Sequence, residues 1–216
     1  MQSVRMYVDP ISPFVWLATK QIARIEAAGV QVEMVPVLFA AMLNHHGLVG
    51  PAEVPAKRVL TFRDVMRQAD AQGLAFAGPP GHPFNPLPML RMATAITGRV
   101  ERIAFVSAVM AACWEQGQDA QDFGMLARVA RDCGLDGEAL VAAASSPEVK
   151  AELARNTEQA IKEGVFGVPS FVFEGELFWG ADRIDTLLRR IAGHRIDEAR
   201  LQEFLARAPL ASRQNR

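Results

Sequence analysis

The sequence predicts an α/β fold in which strands lie near the two ends of the chain and the middle is helical. Strand-like segments flank a helical one within residues 1–37, and strand signals return in residues 164–216. From 38 to 163, apolar residues recur almost throughout at helical spacing. We therefore expect one α/β domain built from residues 1–37 and 164–216, interrupted by an inserted helical domain at 38–163.

The first part is predicted to be strand, helix, strand. Residues 4–8 (VRMYV) are short, apolar and β-rich, and the Asp-Pro pair after them ends the strand. Ser12-Pro13 supplies an N-cap residue and a first-turn proline, which predicts a helix that runs to Gly29. Residues 30–37 (VQVEMVPV) alternate apolar and polar residues, as a second strand does. Two strands joined through a helix are expected to pair in parallel.

The middle and last parts carry clear start and turn signals. Asp136 and Ser146 stand where helix N-caps are expected, and Pro147 follows the serine. After Gly164, the runs SFVF and ELFW are separated by Glu174-Gly175, which predicts a tight hairpin. Two further amphipathic segments predict helices that close the fold. Because no linker separates the parts, we expect them to share one core.

Composition excludes several classes of partner. The chain has 216 residues, of which 50% are hydrophobic, so it can bury a core without disulfides or metal. The chain has 23 Lys and Arg residues against 24 Asp and Glu, a net charge of −1. It therefore lacks the excess of positive charge that is typical of proteins that bind nucleic acid or an anionic membrane. The first residues do not resemble a signal peptide, and no apolar run is long enough for a membrane span. We therefore predict a cytoplasmic protein.

The cysteines exclude further classes. Cys113 and Cys133 are far apart and form no C-x-x-C, which argues against a disulfide scaffold, a Cys-rich zinc site and a redox pair. We expect no bound metal. Glycine-rich nucleotide-binding loops and the G-x-S-x-G nucleophile motif are also absent from the sequence.

Three positions could carry chemistry, and each has a structural alternative. Ser12 opens a helix that follows a strand, where an anion or thiolate is favoured, but it could serve only as an N-cap. Val168-Pro169 could form a cis peptide that turns the backbone of Val168 toward an extended ligand, or it could simply start a strand. Asp182 could cap a helix or accept a ligand ammonium group, and capping is the favoured reading.

Four stretches together resemble one known family: YVDPISPFVWLA (7–18), GPAEVPAKR (50–58), HPFNPLPMLR (82–91) and GVFGVPSFVFEGELFWGADRIDTL (164–187). The chain resembles the 2-hydroxychromene-2-carboxylate isomerases and kappa-class glutathione transferases, which belong to the disulfide-oxidoreductase branch of thioredoxin-like proteins. The resemblance implies a thioredoxin-like fold with a large all-helical insertion. This chain departs from some members of the family, because it has no lysine in AAMLNHHG and no tyrosine after PAKR.

The resemblance assigns roles to individual residues. Ser12 stands in place of the first C-x-x-C thiol and matches the serine that hydrogen-bonds the glutathione sulfur, so it is the implied catalytic residue. Phe84 and Asn85 match positions that line the pocket for the second substrate. The resemblance also implies the residues that bind glutathione. The glycyl end would contact Glu53, Val54 and Lys57, and the cysteinyl part would pair with the backbone of Val168. The γ-glutamyl end would be held by Trp179, Gly180, Ala181 and Asp182.

The implied function is a glutathione-dependent isomerase of 2-hydroxychromene-2-carboxylate-like aromatic catabolites, with the glutathione thiolate as a nucleophilic cofactor. Two alternatives remain: a kappa-like transferase or peroxidase that consumes glutathione, and a non-catalytic thioredoxin-like binding module. Disulfide exchange is disfavoured because neither Ser12 nor Val15 is a cysteine. A small aromatic substrate and a homodimer are also implied.

Overall fold

The computed structural model describes residues 2–211, and its centre is a four-stranded mixed sheet. The strands are β1 (Ser3–Val8), β2 (Gln31–Pro36), β3 (Ser170–Phe173) and β4 (Glu176–Trp179). Their order is β2-β1-β3-β4. As predicted, β1 and β2 are parallel, whereas β3 runs antiparallel to both β1 and β4.

Helices make up most of the remaining described chain. They are α1 (Pro13–Thr19), α2 (Ile22–Glu26), α3 (Phe39–His46), α4 (Pro55–Ala71), α5 (Leu87–Ala95), α6 (Arg99–Trp114), α7 (Phe123–Asp132), α8 (Gly137–Ala143), α9 (Pro147–Lys162), α10 (Ile184–Ile191) and α11 (Glu198–Leu205). Short 3-10 turns precede α4 and α10. The predicted caps are confirmed, since Asp136 accepts from the Ala139 amide and Ser146 from the Val149 amide.

The single helix predicted from Ser12 to Gly29 is wrong, because the structure divides it into α1 and α2. The Thr19 hydroxyl donates to the Trp16 carbonyl at 2.6 Å and so competes for the acceptor that would continue the helix. The Gln21 amide then bonds to Ala18, three residues back. The helical ladder therefore ends at Thr19 and restarts at Ile22.

The hairpin prediction is confirmed. Glu174 and Gly175 both have positive φ, 48° and 82°. A two-residue hairpin turn of type I′ needs positive φ at both positions, because that turn matches the twist of the two strands. The turn aligns Ser170 with Trp179, at the far end of β3 and β4. Tyr7 pairs with the same Ser170 across the sheet. The chain segments that follow β1, precede β3 and follow β4 therefore meet at one edge.

One continuous hydrophobic core joins the sheet to the helical middle, as expected from the lack of a linker. Helices α5, α6 and α9 contact β2, and α10 contacts β3 and β4. Trp16 of α1 and Trp114 of α6 are both fully buried in this core. The division into a domain of 1–37 with 164–216 and an insert of 38–163 stays a prediction.

Candidate active site

Ser12 lies at the start of α1 and faces the loop before β3. It occupies the N-cap position with extended backbone (φ −94°, ψ 117°), yet its side chain caps no helix amide. The hydroxyl instead donates to the carbonyl oxygen of Val168 at 3.0 Å. The structural alternative, a serine that serves only as a cap, is therefore wrong for the side chain. Ser12 itself is half-buried.

The Val168–Pro169 peptide is cis, and β3 begins at the next residue. The cis peptide and the strand start are therefore both present, and the pairing of Val168 with an extended ligand stays a prediction. Val168 is buried, and its amide N–H donates to no acceptor in the part of the chain that the structure describes. The loop itself is fixed, because the Ser170 hydroxyl donates to the Gly167 carbonyl at 2.7 Å.

Trp179 and Gly180 lie beside this loop. The Gly180 amide donates to the Pro169 carbonyl at 2.9 Å, and the Trp179 indole covers Gly167 so closely that a Cβ there would lie 2.5 Å from Nε1. The indole is 53% exposed and packs edge-to-face on Phe166. The structure thus brings Trp179 and Gly180 to the same edge as Val168 and Ser12.

Asp182 lies in the 3-10 turn Ala181–Arg183, whose N-cap is Gly180. No side-chain cap is formed at this turn or at α10, so the prediction that Asp182 caps a helix is wrong. The carboxylate is exposed and forms a weak 3.3 Å ion pair with Arg183. Residues in or next to α1, α2, α4, α10 and this turn line a small open cavity of about 180 Å³, and they include Leu17, Gln21, Arg24, Gln68, Gln72, Ala181 and Asp182.

The predicted residues at the glycyl end lie around the start of α4. Glu53 ends a 3-10 turn and accepts from the Gly50 amide at 2.8 Å, so its carboxylate already has a structural role. Val54 is the N-cap residue of α4, and Lys57 is exposed in its first turn. None of the hydrogen bonds or ion pairs among residues 2–211 ties these three to Ser12 or Val168.

Phe84 and Asn85 differ in their surroundings. The Phe84 ring is half-buried and lies 6.1 Å from the His82 ring. Asn85 is exposed, and its side-chain oxygen accepts from the Leu87 amide at 3.1 Å, which stabilises the entry to α5. The structure therefore places Phe84 in an aromatic cluster and gives Asn85 a turn-forming contact.

That aromatic cluster includes residues from four segments of the chain, and Trp16 and Trp114 within it are fully buried. Ring pairs join Trp16, Phe62, Phe76, His82, Phe84 and Trp114 at centroid separations of 5.1 to 6.4 Å. One face of α4 borders an open space of about 620 Å³, and this face carries Val59, Phe62, Arg63, Met66, Arg67 and Asp70.

Sequence reasoning missed Asp9, which lies fully buried between β1 and the Ser12 loop. Its two carboxylate oxygens accept from the Ile11 and Phe39 amides, each at 2.9 Å. Burial raises the pKa of this carboxyl to about 7, against the lowering effect of the two amides. The sequence signal was only an Asp-Pro pair at a strand end, which is common in turns.

His82 is a second residue that sequence reasoning did not single out. In the structure, its Nε2 lies 2.9 Å from the Ile11 carbonyl oxygen, one residue before Ser12. The cysteines, in contrast, are as expected: Cys113 is fully buried, and burial raises the pKa of its thiol to about 12. Neither cysteine takes part in the Ser12 site.

The sheet order, the inserted helices and a cis-proline loop opposite the first helix define the class as thioredoxin-like. A profile of the DSBA-like thioredoxin domain matches residues 3–192, so the chain belongs to that family. A 2-hydroxychromene-2-carboxylate isomerase of Sphingobium xenophagum is 30% identical over 189 residues, covering 86% of this chain and 96% of the relative.

Two further similarities agree. Glutathione S-transferase kappa 2 of Caenorhabditis elegans is 26% identical over 176 residues, which cover 77% of this chain and 78% of that protein. A solved structure of a 2-hydroxychromene-2-carboxylate isomerase superposes with a TM-score of 0.82 at 24% identity, covering 95% of this chain and all of that one. The family resemblance predicted from the four sequence stretches is thus confirmed. No helix among residues 2–211 is both long and apolar enough to cross a membrane.

Proposed function

We propose that this protein is a glutathione-dependent isomerase of small aromatic carboxylates of the 2-hydroxychromene-2-carboxylate type. The observation that carries the proposal is the contact between the Ser12 hydroxyl and the backbone of Val168, at the edge where a thioredoxin-like oxidoreductase would have a thiol. The names of the relatives support an isomerase, and the kappa-class relative supports glutathione as the thiol.

The backbone at Val168 suits a peptide that carries a thiol. Its N–H donates to no acceptor among the described residues, which leaves it available to pair with a ligand. An extended ligand that pairs with this segment would accept from that N–H. The Ser12 hydroxyl could then turn from the Val168 carbonyl toward the ligand's sulfur. The residues present therefore fit glutathione.

When bound, glutathione would supply a thiolate that adds reversibly to an electron-poor carbon of the substrate, so that a bond can rotate before the thiol leaves unchanged. Ser12 would donate a hydrogen bond to the sulfur. Because a hydrogen bond to the charged form favours that form, this lowers the thiol pKa from its ordinary value of about 8.5. The chain itself contributes binding, orientation and that single donor.

The other implied residues complete the proposal. Trp179 and Gly180 would border the γ-glutamyl end, and Asp182 would accept its ammonium group beside the cavity that Asp182 lines. For the glycyl end we propose Glu53, Val54 and Lys57. For the second-substrate pocket we propose Phe84 and Asn85, and Phe84 belongs to the aromatic cluster.

Calorimetry with glutathione and ultraviolet absorbance of the bound thiolate test the proposal. Loss of a hydrogen bond to a charged group costs about 1.5–3 kcal/mol, so Ser12→Ala should raise the bound thiol pKa by about 1–2. Glutathione affinity should change little, and turnover of 2-hydroxychromene-2-carboxylate should fall. Ser145→Ala, at an exposed serine after α8, is the matched control.

The alternatives predict different results. If wild-type protein binds no glutathione, the proposal is wrong and a binding module is favoured. If glutathione binds and leaves as a covalent conjugate of the substrate, the protein is a transferase, as the kappa-class relative's name would suggest. Turnover by Ser12→Ala equal to that of the wild type would remove the role given to Ser12.

A further inference from the structure

The peptide unit that joins Ile11 to Ser12 is held at both ends. Its carbonyl oxygen lies 2.9 Å from His82 Nε2, and its N–H, which belongs to Ser12, donates to the Asp9 carbonyl at 3.2 Å. The preceding carbonyl, that of Pro10, accepts from Trp114 Nε1 at 3.1 Å. Every contact on this segment therefore acts on the orientation of Ser12.

His82 and Trp114 both reach this loop from the helical middle of the chain, and His82 contacts the Ile11–Ser12 peptide itself. A nitrogen that faces a carbonyl oxygen must carry the proton, so Nε2–H is the donor and Nδ1 is unprotonated. Nδ1 is buried and has no hydrogen-bond partner among the described residues. The Phe62 and Trp114 rings pack against the imidazole at 5.1 and 5.7 Å.

These surroundings keep the imidazole neutral. Burial lowers the pKa of His82, and the nearby positive charge of Arg58 lowers it further, although the Ile11 carbonyl acts in the opposite direction. A second proton on Nδ1 would have no acceptor in the aromatic surroundings. The ring is thus held as a single neutral tautomer with one donor, and that donor points at the Ser12 loop.

We propose that His82 is a positioning residue for Ser12: through the Ile11 carbonyl, its Nε2–H sets the orientation of the peptide that carries Ser12 and so aims the Ser12 hydroxyl at the sulfur of a bound thiol. The inference rests on the proposed function. Rotation of the Ile11–Ser12 peptide would move the Ser12 backbone first, and displacement of a positioned group by about 1 Å can cost up to about a hundredfold in rate.

Two substitutions separate the donor from the bulk of the ring. In His82→Gln, the side-chain amide nitrogen can reach the place of Nε2 and keep the bond to the Ile11 carbonyl. In His82→Asn, the amide nitrogen corresponds in position to Nδ1 and stops short of that carbonyl. His194→Gln, at an exposed histidine after α10, controls for loss of an imidazole elsewhere.

The measurements are the pKa of the bound glutathione thiol by ultraviolet absorbance, kcat and KM, and the melting temperature of each variant. His82→Asn should raise the bound thiol pKa and lower kcat roughly tenfold or more, with little change in KM for the aromatic substrate. His82→Gln should stay close to wild type in both. A role that is merely structural would lower the melting temperature without moving the thiol pKa.

Several outcomes would overturn the inference. One is a folded His82→Asn protein whose thiol pKa and kcat match the wild type, and another is an equal loss in the Gln and Asn variants. If His82→Asn does not fold, nitrogen NMR of the wild-type ring decides, since an Nδ1–H tautomer contradicts the proposed donor. Absence of glutathione binding by wild-type protein would instead remove the proposed function and this inference with it.

Discussion

The pH dependence of stability should show the buried Asp9 directly. The structure gives this carboxyl a pKa of about 7 through burial, whereas an exposed aspartate has a pKa of about 4. The folded state therefore holds a proton that the unfolded state releases between these two values. Such a group stabilises the fold below about pH 4, and the contribution is lost as the pH rises through about 7.

The expected size follows from the shift. Each pKa unit corresponds to about 1.4 kcal/mol, so raising the pH from 5 to 8 should remove about 3 kcal/mol of unfolding free energy that depends on Asp9. Asp9→Asn isolates this contribution. The variant cannot accept from both the Ile11 and Phe39 amides, and that loss, about 1–3 kcal/mol, is the same at every pH.

Urea unfolding of the wild type and of Asp9→Asn should be measured at several pH values between about 5 and 8. The wild-type free energy minus that of the variant should fall steadily as the pH rises. A constant difference would show that Asp9 does not titrate in this range. A difference that rises with pH would refute the reasoning, because the two amides would then outweigh burial and keep Asp9 ionised.

Two glycine substitutions test close contacts. Gly137→Ala would place a Cβ 2.3 Å from the backbone oxygen of Ala127, so urea unfolding should show a loss of about 1–3 kcal/mol in unfolding free energy. Gly81→Ala, with open space around it, is the control and should change that free energy by less than about 0.5 kcal/mol. Equal effects would contradict the packing of α8 on α7. Gly167→Ala would place a Cβ against the exposed Trp179 indole and displace it. We expect a changed near-ultraviolet circular dichroism spectrum and about tenfold weaker glutathione binding, with little loss of stability. Unchanged binding would show that Trp179 does not belong to the glutathione site.

Much of the fold could be predicted from local sequence. The hairpin at Glu174-Gly175 and the helix caps at Asp136 and Ser146 depend on residues within a few positions of each other, and all three are confirmed. The break after Thr19 could not be predicted, because a threonine hydroxyl that competes for a helix carbonyl leaves no distinct pattern in sequence. Parallel pairing of β1 and β2 followed from the helical connection between them.

The candidate site was only partly accessible in this way. Ser12 and Val168 were singled out separately, each with a structural alternative. Their contact spans 156 positions of the chain, so it depends on β1 lying beside β3 in the sheet. The capping role expected for Asp182 is wrong because a 3-10 turn with Gly180 at its N-cap replaces the expected helix start.

The sequence by itself determined the strand and helix order, the absence of a C-x-x-C pair and the serine in its place, because these are properties of neighbouring residues. Only the tertiary structure decided what Ser12 contacts and what holds it. Asp9 gains its raised pKa from burial, and His82 gains its hydrogen-bond partner from the Ile11 carbonyl, 71 positions away. Burial and long-range hydrogen bonds arise when the chain packs, so the roles of these two residues could not be read from their neighbours in sequence.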